Sequence, residues 1–217
     1  MQTKTYAVAL AVLLLATVLE AWSIWTPTWI RASTPASSPI HYSARYGLTQ
    51  RCERAYLDLP SSSGLSGSHA QAHDQGWKCR SFPLSDRDCS QDRNFCAAWR
   101  GASYAAQMSF AFLVVSLLGL LLILLLNGRQ RKRDGWRIIS GCSALALTLQ
   151  AIAVGVIANL FNNDERFYAG SKLGSAFVVA ISSLSLVTLT AVGLVAGGIR
   201  SGQSDHGPQG DGYRSID

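Results

Sequence analysis

Residues 104–137 read YAAQMSFAFLVVSLLGLLLILLLNGRQRKRDGWR, and this stretch decides the fold. No charge interrupts 104–126, and about 20 helical residues rising 1.5 Å each are enough to cross a hydrocarbon core. Asn127 and Gly128 end the run, and Arg129, Arg131, Lys132, Arg133 and Arg137 follow at once. Short loops rich in Lys and Arg stay on the cytoplasmic side, so this cluster also orients the chain.

Working outward, three further stretches have the same character. Residues 138–161 return across the membrane and close at Asn162, Asn163, Asp164 and Glu165; residues 172–199 come back toward Arg200. The first apolar stretch, 5–25, follows Lys4 and is bounded by Trp22, Trp25 and Trp29, as suits a membrane interface where an amphipathic ring is half wetted. A basic start, the run 7–16 and small residues near Ala21 also fit a signal peptide, but the length and the tryptophans favour a retained anchor. Glu20 lies near the outer end of this span, where a carboxylate reaches headgroups or water or faces the bundle interior.

These spans predict an all-α membrane protein, a four-helix transmembrane bundle. Its parts are the N-terminus and first span at 1–25, an outer loop at 26–101, the second span at 102–127 and a basic cytoplasmic loop at 128–137. A third span at 138–161, a short outer loop at 162–171, a fourth span at 172–199 and a disordered cytoplasmic tail at 200–217 complete it. Both termini are then cytoplasmic and the protein sits in the plasma membrane.

Composition agrees: 48% of residues are hydrophobic and only 15% charged, and the charge is crowded into the segments between the spans. The net charge of +6 does not form a nucleic-acid face, because the basic residues divide between the juxtamembrane cluster and a loop that also carries acids. Attraction to anionic lipid headgroups is the expected effect.

Cys52, Cys79, Cys89 and Cys96 lie in the long loop and Cys142 in the third span. An even number of loop cysteines in an oxidising compartment implies two disulfides, for which three pairings exist. Cys52 with Cys79 and Cys89 with Cys96 is favoured, because the second is a short local closure and the first brackets the stretch most like an insertion. A zinc site lacks support: there is no C-x-x-C pair, and His41, His69 and His73 have no ligand spacing. Cys142 reads as a packing residue or a lipidation candidate.

Residues 61–75, rich in Ser, Gly, His and Gln, read as a flexible excursion. Around them, 46–59 and 77–84 contain the aromatic and aliphatic residues of short strands, so a small disulfide-pinned, β-containing extracellular domain is expected. Within the spans, Gly193 and Gly197 form a small-xxx-small pair, read as packing inside the bundle before dimerisation. Gln150 needs a hydrogen-bond partner, and an interhelical tie is the simpler reading.

The order of spans and loops resembles the claudin superfamily, which also holds the peripheral myelin and epithelial membrane proteins and the channel and glutamate-receptor auxiliary subunits. Trp29 resembles the family's first tryptophan, and Gly47-Leu48-Thr49-Gln50-Arg51-Cys52 its Gly-Leu-Trp motif with cysteine, Thr49 replacing the motif tryptophan. Cys79 then stands for the second cysteine and Arg100 for the arginine entering the second span. Thr49, the long insertion and the extra cysteine pair point to a divergent member, such as the fungal claudin-like proteins.

The resemblance implies a non-enzymatic protein that organises membrane domains or cell-surface contacts through its outer loop and lateral assembly. Its partners would be the bilayer, itself and other membrane proteins. The alternative is an auxiliary subunit of a channel, transporter or receptor. No cofactor, metal, nucleic acid or small-molecule substrate is expected, since no nucleophile, base or metal motif is present. Asp86, Asp88 and Asp92, interleaved with Arg87 and Arg93, read as a solvated face. The loop cations Arg45, Arg51, Arg54, Lys78, Arg80, Arg87, Arg93 and Arg100 outnumber its acids, which favours anionic surfaces. Ordinary solvation is the plainer reading.

Overall fold

The computed structural model describes residues 2–34, 40–57, 76–83, 88–90, 93–125, 129–164, 167 and 170–203. Four helices dominate: α1 (Gln2–Trp25), α2 (Arg93–Leu125), α3 (Arg129–Asn163) and α4 (Ser175–Gln203). Each packs against two others, α1 on α2, α2 on α3, α3 on α4 and α4 on α1, which closes a ring. All four are long and apolar enough to cross a membrane.

Large apolar side chains such as Val8, Leu15, Met108, Leu122, Ile152 and Leu189 face away from the bundle. Lipid tails tolerate such a surface and water does not, so the four helices point to a multi-pass membrane protein. Inside, Leu13, Ala16, Leu113, Leu120, Ala146 and Val187 fill the core of the spans. Alternating Leu with Ala lets facing helices interdigitate without voids.

At one end of the bundle five antiparallel strands form a sheet: β1 (Ile30–Ser33), β2 (Ile40–Tyr46), β3 (Gln50–Leu57), β4 (Lys78–Ser81) and β5 (Lys172–Leu173), in the order β4-β3-β2-β1-β5. The expected strand stretch 46–59 is thus the end of one strand, a tight connection and a second strand. Gly47 makes the connection: its N–H donates to Gln50 O at 2.7 Å, and a Cβ there would lie 2.7 Å from Pro27 Cα.

Element boundaries depart from the sequence reading in three places. First, α2 starts at Arg93, inside the stretch read as loop, because Phe95, Cys96 and Trp99 continue the buried face of the span at helical spacing. Second, α3 starts at Arg129, so the basic segment read as a loop is helical from there. Third, Lys172 and Leu173, read as the start of the fourth span, pair with Arg31 and Ile30 as β5 instead. Of the tail read as disordered, residues 200–203 continue α4 and the rest lies outside the described residues.

Gly174 joins β5 to α4. Its N–H donates to Trp29 O at 2.7 Å, and an added Cβ would run into the Thr28 carbonyl. Gly174→Ala is therefore expected to cost about 1–3 kcal/mol through overpacking against backbone that cannot give way. A thermal melt in detergent checks this, with Gly155→Ala, where the added Cβ meets open space, as the neutral control.

Candidate functional site

The sheet and the helix ends beneath it form one body, built around residues the sequence singled out. Trp29 is 1% exposed; its Nε1 donates to Ser23 O of α1 at 2.8 Å, and its ring meets Phe177 of α4 edge-on at 5.7 Å. One side chain thereby ties β1 to two spans. Leu48, also buried, offers its carbonyl to Trp99 Nε1 of α2 at 3.2 Å. Thr49 O accepts from Phe82 N, which brings the Phe82 ring against Trp99 at 5.2 Å.

Tyr46, Phe82, Phe95, Trp99 and Phe167 interlock as an aromatic cluster between sheet and bundle. Edge-to-face pairs of this kind add about 0.5–1.5 kcal/mol each beyond their buried area. Sequence reading did not single out Trp99. It missed Phe82 and Phe167, which come from distant loops and carry no local pattern.

The disulfides are Cys52–Cys79 and Cys89–Cys96, the favoured pairing. Cys52 and Cys79 occupy directly opposed positions of β3 and β4. Cys89–Cys96 fastens the segment ahead of α2 onto its first turns, and Arg100 Nη2 donates to Pro83 O at 3.4 Å. Cys142 is free and partly buried in α3.

Part of the loop's charge is balanced from within. Arg80 grips Asp88 with two bonds, 2.6 and 2.7 Å, and Asp88 is only 8% exposed. Arg51 donates to Tyr42 Oη at 3.0 Å, and its Nε forms an ion pair with Glu53 at 2.7 Å. The guanidinium of Arg45 stacks 3.9 Å from the centre of the Trp77 ring. The bond to Asp88 holds Arg80 above the usual arginine value, while burial pushes the Tyr42 phenol up. The acidic group read from sequence thus resolves into one partnered carboxylate, with Asp86 and Asp92 outside the described residues.

A recess of about 210 Å³ between the strands is lined by Tyr42, Glu53, Ala55, Lys78, Cys79 and Arg80. This is below the roughly 300–1,000 Å³ of metabolite pockets. Among the described residues no group of three or more His, Cys, Asp or Glu is placed to hold a metal. No protein-family model matches the chain, and no curated protein matches it in sequence.

Within the spans, Gln150 Nε2 donates to Ala180 O of α4 at 3.0 Å, the interhelical tie expected of it. Among the described residues, nothing beyond the neighbouring turns of its own helix lies within 4 Å of where a Gly193 Cβ would be. It lines an apolar groove of about 530 Å³ between α1 and α4, with Val8, Val12 and Leu189. Gly197 lies in α4 beyond the residues whose surroundings are described. Glu20, finally, faces the bundle interior rather than its rim.

Proposed function

We propose that this chain is a divergent, claudin-like four-span protein of the plasma membrane, with both termini cytoplasmic, and that its sheet is a non-enzymatic docking surface for lateral assembly. The carrying observation is mechanical. A sheet crosslinked by Cys52–Cys79 is fused through Trp29 and the Trp99 cluster to the helix ends, so it moves with the bundle rather than as a loose loop. Rigid surfaces bind with less ordering cost.

The family assignment rests on where the motif residues fall. Trp29, Gly47, Leu48, Cys52 and Cys79 each occupy a position that seats or pins the sheet, as a motif for a shared fold requires. Orientation rests on the basic cluster that opens α3 and on disulfides suited to an oxidising compartment.

A second reading, an auxiliary subunit of a channel, transporter or receptor, is favoured by the α1–α4 groove. Its small residues Ala9 and Gly193 leave room for a helix of a larger partner. Purification in mild detergent, followed by identification of what accompanies the protein, separates the two. Assembly predicts complexes of several copies of this chain; a pore or receptor at fixed stoichiometry would replace that reading with the second.

A further inference from the structure

Glu20 is the sole charged residue in the apolar stretches 5–25, 104–126, 138–161 and 173–199. It lies five residues inside the end of α1, about 7.5 Å along the axis from Trp25. Its side chain is 1% exposed, and neither carboxylate oxygen has a hydrogen-bond partner.

Three other helices bring oxygen to this level. Ser109 of α2 and Ser183 of α4, both fully buried, come up to the carboxylate. Their hydroxyl hydrogens are already committed: Ser109 Oγ donates to Ala146 O of α3 and Ser183 Oγ to Ala16 O of α1, each at 2.9 Å. Gln150 of α3, one turn from Ala146, commits its amide to Ala180 O, and its Oε1 is likewise buried without a donor.

The interior at this level therefore brings acceptors from all four helices and no cationic donor. No Lys, Arg or His occurs in 104–126, 138–161 or 173–199, so no packed element supplies a counter-charge. Acceptors facing one another in a dry interior repel, and a bare carboxylate there is among the costliest arrangements a protein can hold. A lipid headgroup or a partner's arginine is too large to reach a side chain buried this completely. The missing group is small and positive, and hard oxygen ligands suit a proton or a dehydrated alkali ion.

We propose that Glu20, Ser109 and Ser183 form an intramembrane site that binds one monovalent cation. Its occupancy bears on the sheet, because Ser23, one turn along α1, accepts the Trp29 anchor on its carbonyl and donates from its hydroxyl to Ala176 O of α4.

The full-length protein in detergent tests this, with tryptophan fluorescence reporting the melt. One series varies pH in a buffer whose only cation is too bulky to enter the bundle. The other varies sodium or potassium at fixed pH. A ligand bound only by the folded state raises stability with its concentration. If a proton fills the site, wild type loses stability as pH rises, the folding constant falling by up to about tenfold per unit from the ordinary carboxylate range up to the pH at which the site empties, and levelling off beyond it. If an alkali ion fills it, stability rises by up to about tenfold per decade of salt.

Glu20→Gln removes whichever response is present, and the difference between wild type and variant excludes titrating groups elsewhere. Should that variant not be recovered folded, Ser109→Ala combined with Ser183→Ala replaces it and is expected to weaken the response about tenfold. Responses to both pH and salt that are the same in wild type and variant overturn the proposal.

Discussion

Replacing Cys52 by serine is expected to destabilise the sheet by about 3–4 kcal/mol and to reduce delivery of the protein to the cell surface. The disulfide spans a sequence separation of 27, and opening a loop of that length returns conformational entropy to the unfolded sheet. Little else can compensate. β4 is a four-residue edge strand, exposed along most of its length, and its pairing to β3 covers only Gln50 to Glu53. A small domain holds only about 5–15 kcal/mol of net stability, so this loss leaves β4 and the residues lining its recess unfixed for much of the time. Surface biotinylation and native sizing read the effect. Normal delivery together with normal assembly would count strongly against the sheet as the assembly surface.

Trp99→Ala is expected to cost about 3–5 kcal/mol, the usual range for emptying a buried aromatic site. Trp99 is fully buried with ring centroids of Tyr46, Phe82, Phe95 and Phe167 between 5.2 and 6.4 Å away, and it reaches the Gly47–Thr49 connection through its bond to Leu48 O. Removing it separates sheet from bundle at their common core. Two controls isolate the cause. Trp99→Phe keeps most of the packing and loses the hydrogen bond, for about 1 kcal/mol. Trp22→Ala removes a ring that is 56% exposed at the outside of α1 and should change the melt by about 0.5 kcal/mol or less. Equal losses at Trp99 and Trp22 would show that the aromatic cluster does not hold the sheet in place.

The spans were legible because a run of apolar residues long enough to be a span needs no partner to be recognised. The disulfide pairing was legible for a related reason: a closure of seven residues is short enough to be local. What escaped notice depends on distant chain. β5 is two residues long and exists only because β1, some 140 positions earlier, offers an edge at Arg31 and Ile30. The aromatic cluster draws Phe82 and Phe167 from separate loops, so no window of sequence contains it. Helical spacing alone does not tell which face is covered. The Gly193–Gly197 interval resembles a packing motif, yet only the ring order of the helices decides which face of α4 is covered, and Gly193 opens onto a groove. Glu20 was ambiguous for the same reason, since its position along α1 is readable but its rotation about the helix axis is not.

The central claim, that the sheet stands outside the cell on a bundle whose termini are inside, is tested most directly by epitope placement. One tag is inserted within 61–75, the polar excursion between β3 and β4, and another is appended after Asp217. Antibody is expected to label the internal tag on intact cells and the terminal tag only after permeabilisation. Labelling of the terminal tag on intact cells, with the internal one hidden until permeabilisation, would contradict it.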